Sequence, residues 1–281
     1  MRGRFAGGKR LGSVGGAGFF LLLCSMGSAL SDDQPSFDWV QEKYGWREIS
    51  GGIDAAGDQW LLYSGMTVAP WGTDIYSDGW RLRVGGGYGQ FGYDSAAPRD
   101  PCGDATSNDA CTETGRARLH YDVEHTYAEA LIGYHLRLGS LTAKAFAGAA
   151  MSSERHLRKD PASHTDGLEF GAKGVLELWF DASSETWMEL DASYSTARDE
   201  SSARWRAGWR LQPRLSVGPE LRFDCNIESA AGEWNGRVGL FGRYEWIGGE
   251  VSLSGGVTAR VRDWSGEDVS PYGTINVIYQ Y

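Results

Sequence analysis

The sequence has little proline and little cysteine, and no long apolar run follows its first 31 residues. Only 8 prolines and 4 cysteines occur among the 281 residues. A transmembrane helix needs about 20 consecutive apolar residues, so no segment after residue 31 can form one. A basic stripe is also missing, and the net charge of −10 argues against a nucleic-acid partner.

Glycine and aromatic residues are abundant, with 40 glycines, 12 tryptophans and 13 tyrosines. The glycines show no three-residue period, which excludes collagen, and the even spread of aromatic and β-branched residues excludes a disordered chain. This composition favours a sheet that bends, packs closely and anchors at a membrane interface. No Pro-rich, Ser-rich or single-sign charge run divides the chain, which predicts one domain.

The first 31 residues have the order of a secretory signal peptide. An apolar stretch at 14–23 follows a basic start and precedes the small residues Gly27 and Ala29. The basic start consists of Arg2, Arg4, Lys9 and Arg10. We therefore expect a signal peptide at 1–31, an N-terminal periplasmic segment at 32–46 and the folded domain at 47–281. An exported chain of this kind is either a soluble protein or a β-barrel.

Apolar residues alternate with polar ones throughout 47–281, which indicates β-strands. In 168–180 the apolar positions alternate with Glu169, Lys173 and Glu177, and in 203–211 they alternate with Arg204, Arg206 and Arg210. The segments have about ten residues, the length that a tilted strand needs to cross a bilayer. We predict about twelve strands, at 47–56, 59–69, 79–92, 121–137, 141–151, 168–180, 186–196, 202–211, 215–224, 233–244, 250–261 and 272–281.

The connections between these strands differ in length. Long polar loops follow strands three, five, nine and eleven, whereas most of the alternate connections are short. This asymmetry is the signature of an antiparallel, up-and-down outer-membrane β-barrel of a Gram-negative bacterium, with its short turns in the periplasm. Two connections fit less well, because the turn near Gly57 is short for an outer loop and 70–78 is long for a periplasmic turn.

Most strands carry charges of both signs on one face only. In a narrow barrel these side chains would form a salt-bridged lumen network of Arg81, Arg83, Lys144, Glu169, Lys173, Glu177, Glu189, Asp191, Arg204, Arg206, Arg210, Glu220, Arg222, Arg237 and Arg243. A soluble β-sandwich is the alternative, but it would not show the asymmetry of loop length.

Aromatic residues near the predicted strand ends favour interfacial girdles in contact with outer-membrane lipid. They are Trp60, Trp80, Tyr88, Trp187, Trp205, Trp234, Tyr244, Tyr279 and Tyr281. In the last strand, Tyr279 and Tyr281 alternate with polar residues, and an aromatic carboxy-terminal residue resembles the signal that the barrel-assembly machinery binds in such proteins.

Cys102 and Cys111 lie nine residues apart in a polar loop, where an oxidising compartment would favour a disulfide. A loop disulfide is favoured there over a metal or redox site. Cys225 then has no partner.

Catalytic and cofactor motifs are missing from the sequence. His156 and His164 lie in or beside a loop with serines nearby, but no G-x-S-x-G elbow occurs. Glu189 and Asp191 could serve as paired carboxyls of a glycosidase, although Arg204 and Arg206 on the next strand would account for them as ion pairs. Neither CxxC nor HExxH occurs, so we predict no metal, no cofactor and no enzymatic activity.

Several runs, in the same order, resemble the BcsS family of exported proteins, which are encoded with bacterial cellulose-synthesis machinery. They are DGWRLRVGGGYGQFGYD (78–94), AEALIGYHLRLGSLTAKAFAGA (128–149), MELDASYSTARDESSARWRAGWRL (188–211) and VGPE (217–220). The resemblance implies a role in cellulose production at the cell envelope, with the secretion complex or the glucan as a partner. It brings no set of active-site residues. The alternatives are a small general porin or surface adhesin, and an outer-membrane enzyme that acts on lipid or glycan.

Overall fold

The computed structural model describes residues 45–72, 74–96, 118–158, 166–226, 233–260 and 269–281. The predicted signal peptide and most of the segment at 32–46 lie outside these residues. The described residues contain no helix that is long and apolar enough to cross a membrane. They form twelve strands: β1 (Arg47–Ala56), β2 (Gln59–Val68), β3 (Gly79–Ala96), β4 (Arg118–Leu138), β5 (Leu141–His156), β6 (Gly167–Asp181), β7 (Thr186–Ser195), β8 (Glu200–Gln212), β9 (Leu215–Asn226), β10 (Glu233–Trp246), β11 (Gly249–Arg260) and β12 (Ser270–Gln280).

The twelve strands close into one antiparallel barrel in which each strand pairs with its neighbours in sequence. The first strand pairs with both β2 and β12, so that Ile53 lies opposite Leu62 on one side and Ile275 on the other. Closure leaves no unpaired sheet edge among the described strands. The predicted twelve-stranded up-and-down barrel is confirmed, and a two-sheet sandwich is excluded.

Both described chain ends lie at one end of the barrel, which we call the lower end. There, Arg47 and Tyr281 exchange backbone hydrogen bonds of 3.2 and 3.0 Å. Short turns at 139–140, 213–214 and 247–248 lie at the same end. The four long connections leave from the opposite, upper end. The short turn between β1 and β2 also lies at the upper end, and Gly57 adopts a φ of 55°, a left-handed conformation that glycine accepts without strain.

The long connection at 69–78 folds back against the lower end of the barrel. Ile75 is buried there, and its amide donates to the carbonyl of Gly45 at 3.2 Å. The Tyr76 hydroxyl donates to Gln280 Oε1 on β12 at 2.7 Å. This connection exceeds the expected length of a turn because its residues make tertiary contacts with β12 and with the start of the described chain.

The strands are apolar on their outer face and polar on their inner face, which is the reverse of a soluble protein. Large apolar side chains such as Phe170 (75% exposed) and Leu240 (69%) point outward, whereas charged residues fill the inward rows. Such an apolar outer surface around a polar interior is typical of membrane barrels. The predicted girdle position is wrong for Trp187, which lies on an inward row and is only 1% exposed. The side chain of Trp234 lies outside the described residues.

Candidate functional site

The inward rows carry most of the buried charge, and side chains such as Arg206 (3% exposed) and Glu220 (2%) are almost fully buried. Every residue that the sequence assigns to the lumen network lies on these rows: Arg81, Arg83, Lys144, Glu169, Lys173, Glu177, Glu189, Asp191, Arg204, Arg206, Arg210, Glu220, Arg222, Arg237 and Arg243. Their contacts fall into several clusters at different heights.

One cluster joins β3 to β6. Arg83 Nε lies 3.4 Å from Glu129 Oε1, and its Nη1 lies 2.5 Å from Glu177 Oε1. Lys144 Nζ lies 3.6 Å from the other oxygen of Glu177, and Lys173 donates to Glu129. Because β3 and β6 are three positions apart in the barrel, these contacts reach across part of the lumen.

The carboxyl pair on β7 is held by a single arginine. Arg204 Nη2 lies 3.0 Å from Glu189 Oε1, and Arg204 Nε donates to Asp191 Oδ2 at 3.1 Å. A catalytic carboxyl must be able to reach its substrate, whereas one guanidinium binds both of these. The arrangement is that of structural ion pairs.

A second arginine on β8 binds elsewhere. Arg206 Nε donates to Glu220 Oε2 at 2.6 Å, and the same oxygen accepts a hydrogen bond from the Ser254 hydroxyl at 2.9 Å. Tyr272 Oη donates to the other Glu220 oxygen at 3.1 Å. This carboxylate therefore joins β8, β9, β11 and β12.

Nearer the upper end, Asp54 of β1 is bound by two arginines. Arg237 Nη1 donates to its two oxygens at 2.6 and 2.8 Å, and Arg222 Nη1 also donates to it. Arg222 Nε contacts Asp224 Oδ1 at 3.1 Å. The sequence-based network included Arg237 but omitted Asp54 and Asp224. Their positions on polar rows were a usable signal, but the sequence does not show which strands meet across the lumen.

Three predicted network residues lie towards the ends of the barrel. Arg81 donates to the carbonyl of Ile75 at 2.9 Å and lies 3.3 Å from His135 Nδ1, so it holds the 69–78 connection. Arg210 Nη2 binds Asp181 Oδ1 at 2.7 Å at the lower end. At the upper end, Glu169 Oε1 lies 3.8 Å from Arg198 Nη1.

Aromatic side chains fill the lumen near the lower end, below the pairs of Arg204 and Arg206. Trp179 and Trp187 stack with their ring centroids 4.1 Å apart, and Phe241 lies 5.4 Å from Trp187. The Arg243 guanidinium lies 4.6 Å from the Trp179 ring, in cation–π geometry. Gly208 is the cross-strand partner of Trp187 and leaves space for its indole.

Replacing Gly208 with alanine should lower the free energy of unfolding by about 1–3 kcal/mol, the range for overpacking a filled interior. The added Cβ would overlap the buried indole of Trp187, which cannot move without breaking its stack. Urea titration followed by tryptophan fluorescence measures the loss. The matched control is Gly242→Ala, where an added Cβ meets nothing within 4 Å. Equal stability of the two variants would contradict this packing.

A cavity of about 340 Å³ lies at the upper end, inside the barrel wall. Charged side chains from several clusters line it, among them Asp54, Glu154, Lys173, Glu200 and Arg222. Below it, the ion pairs of Arg83 with Glu129 and Glu177 extend across part of the lumen. The inside of the barrel therefore consists of an upper cavity above a densely paired and aromatic interior.

The remaining predicted residues lie away from the lumen clusters. Cys102 and Cys111 fall outside the described residues, so their disulfide stays a prediction, and Cys225 is free and buried. Tyr279 and Tyr281 point outward and stack with their centroids 5.8 Å apart. His156, which the sequence places in or beside a loop, is the last residue of β5, and its ring lies inside the barrel with Nε2 3.2 Å from Tyr93 Oη; His164 falls outside the described residues.

Comparison with known protein families decides the family of this chain. The sequence profile described as "Cellulose biosynthesis protein BcsS" matches residues 49–281, which span all but two residues of the barrel domain predicted from the sequence. The chain belongs to the BcsS family. The resemblance inferred from the sequence runs is thereby confirmed, and the family associates the barrel with cellulose biosynthesis. Among curated proteins, none matches the chain.

Solved structures with a similar course of the chain are barrels of low sequence identity. The KdgM porin is 9% identical, with a TM-score of 0.45, over 83% of this chain and 99% of its own. The transport unit of the autotransporter AIDA-I from Escherichia coli is 10% identical, with a TM-score of 0.46, over 86% and 91%. The outer membrane protein Omp33 of Acinetobacter baumannii is 9% identical, with a TM-score of 0.38, over 86% and 100%.

Proposed function

We propose that this BcsS-family protein is a non-enzymatic outer-membrane barrel that assists cellulose biosynthesis, secretion or anchoring at the cell surface. Membership of the family is the observation that carries the cellulose role. The engagement of Glu189 and Asp191 by one arginine supports a non-enzymatic role, because it leaves no free carboxyl pair in that cluster.

The proposed location in the outer membrane rests on the outer surface of the barrel. Side chains such as Leu62, Ile132 and Leu253 are more than half exposed, and a continuous apolar surface of this kind would aggregate in water. Lipid is therefore the first proposed partner. The second is the barrel-assembly machinery, which would bind the last strand with its outward Tyr279 and Tyr281. Export through the signal peptide at 1–31 is part of the same proposal.

The proposed mode of action is contact through the upper loops, with the cellulose-secretion complex or the glucan itself as partner. The support is the lumen, where the ion pairs of Arg83 with Glu177 and of Arg237 with Asp54 reach across strands three positions apart. A glucan chain could not pass without breaking them.

The occluded lumen predicts that the protein passes little ionic current. In planar bilayers we expect no steady conductance above that of the bilayer alone. A double variant, Arg83→Ala with Arg237→Ala, removes the two arginines whose ion pairs reach across the lumen and should produce larger and fluctuating currents. Ser64→Ala, on the outer face, is the control and should behave as the native protein. A large steady current through the native protein would contradict occlusion and favour a small general porin.

Deletion of the gene in its cellulose-producing host tests the proposed function. We expect less extracellular cellulose, or cellulose that washes off the cells, and recovery when the native gene is restored on a plasmid. Cellulose should be measured both in total and as the cell-attached fraction, because anchoring affects only the second. Unchanged amount and unchanged attachment would overturn the cellulose role.

A further inference from the structure

Three side chains with metal-ligating atoms meet at the upper cavity: His125 of β4, Glu154 of β5 and Glu200 of β8. One ligand atom from each lies within 4.8 Å of the other two. Their separation in sequence explains why no short metal motif marks them. His125 and Glu154 are direct cross-strand partners, whereas Glu200 comes from a strand three positions beyond β5. The group therefore bridges the lumen rather than one stretch of the wall.

The two oxygens of Glu154 face different partners. Oε1 lies 4.0 Å from His125 Nδ1, and Oε2 lies 3.7 Å from Arg198 Nη1. Arg198 is also shared with Glu169, whose Oε1 lies 3.8 Å away. One arginine thus serves two carboxylates, and Glu200 adds a third negative group to the same region. A buried excess of negative charge is costly unless a cation compensates for it.

A fourth polar group points to the same place. Ser152 lies two residues before Glu154 on the inward row of β5 and is only 3% exposed. Its hydroxyl faces the Glu200 carboxyl, and its Oγ has no hydrogen-bond partner of normal geometry among the described residues. Buried hydroxyl groups nearly always have a partner. A cation at the centre of the group would instead be contacted by a lone pair of the Ser152 oxygen.

We propose that His125, Glu154 and Glu200 bind a divalent transition-metal ion, with the Ser152 hydroxyl beside it. An imidazole nitrogen among the donors favours an ion of the Zn²⁺ class over Ca²⁺ or Mg²⁺, which prefer oxygen ligands alone. Tetrahedral Zn²⁺ holds its ligand atoms about 3.3 Å apart, so the side chains need to close by roughly an ångström. Arg198 stays on the far oxygen of Glu154 and orients it. The ion would connect β4 and β5 to β8 and stabilise the upper end of the barrel. This inference does not rest on the cellulose role.

Calorimetric titration with ZnCl₂ tests the site. The full protein is extracted from membranes without a histidine tag, stripped with EDTA and titrated in detergent micelles. We expect one Zn²⁺ per chain. Zn²⁺ should also raise the temperature at which the folded band converts to the unfolded one on a gel, because an ion that binds only the folded state stabilises it. Absence of one-to-one binding by the native protein would overturn the proposal, and this arm needs no variant.

Matched variants then locate the ion. His125→Gln and Glu200→Gln should each weaken binding by at least about 10–100-fold, the range seen even for residues one step from a metal. His120→Gln is the control for the first, since it lies on the same strand with its side chain exposed. Glu124→Gln is the control for the second, since Glu124 faces Arg155 on the outer row. If the control variants lose Zn²⁺ as the site variants do, or if the site variants fold and keep native affinity, the assignment is wrong.

Discussion

Replacing Glu220 with alanine is expected to lower the free energy of unfolding by about 3–5 kcal/mol, the range for breaking a buried ion pair by removing one partner. The variant leaves the Arg206 guanidinium inside the barrel without its carboxylate, and it also removes the acceptor of the Ser254 and Tyr272 hydroxyls. Urea unfolding of the protein in lipid vesicles, followed by tryptophan fluorescence, measures the loss.

Two comparisons separate this effect from a general loss of stability. Glu185→Ala changes an exposed carboxylate in the turn between β6 and β7, and it should alter stability by no more than about 0.5 kcal/mol. The double variant Arg206→Met with Glu220→Leu removes both charges and should recover most of the stability that Glu220→Ala loses. A Glu220→Ala variant as stable as Glu185→Ala would mean that the pair is not buried as described.

Replacing Leu240 with arginine should lower stability by about 2–4 kcal/mol if the barrel lies in a bilayer, because a charge then enters the hydrocarbon core. Leu240 lies near the middle of β10, and its side chain is 69% exposed on the outer surface. In a protein surrounded by water, an exposed leucine could accept arginine with a change within about 0.5 kcal/mol. The same vesicle-based urea titration distinguishes the two surroundings.

The control for this variant is Ile247→Arg, in the short turn between β10 and β11. Ile247 is similarly exposed (58%), but it lies at the lower end of the barrel, where a charge can reach the headgroups or water. Ile247→Arg should lower the free energy of unfolding by about 0–1 kcal/mol. Equal losses in the two variants would argue against a dependence on depth, and therefore against a bilayer around the barrel.

The strands could be predicted from the sequence because each alternates over at least ten residues. Predicted and observed bounds differ most at the upper ends of β3 and β5, which reach residues 96 and 156 instead of 92 and 151. Beyond residue 151 the outward positions of β5 are Ser153 and Arg155, so the apolar signal ends although pairing with β4 continues. Alternation of apolar and polar residues indicates where a strand faces an apolar environment, and it does not show how far the strand stays hydrogen-bonded to its neighbour.

The sequence predicts which face of each strand points into the lumen, but it does not predict which charged residues pair there. Arg206 has two acidic cross-strand neighbours in the register, Glu189 on β7 and Glu220 on β9. Side-chain direction inside the closed barrel selects Glu220. The group of His125, Glu154 and Glu200 likewise depends on which residues reach across the lumen at one height, which follows from closure and not from local sequence.

The sequence does not separate girdle from interior aromatic residues by type, because both positions carry tryptophan and tyrosine. Trp187 resembles an interfacial residue by its place near a strand end, yet its row also holds Glu189 and Asp191 and therefore points inward. Opposite it, Gly208 provides the space that a large indole requires. The polarity of the neighbouring residues on the same face of a strand would have shown correctly whether each aromatic side chain points inward or outward.

The central claim is an outer-membrane barrel, and cell fractionation combined with heat-modifiability on an SDS gel tests it most directly. We expect the protein in the outer-membrane fraction, as a band that migrates as a folded species until the sample is boiled. A protein recovered in the soluble periplasmic fraction, with the same mobility before and after boiling, would contradict the claim.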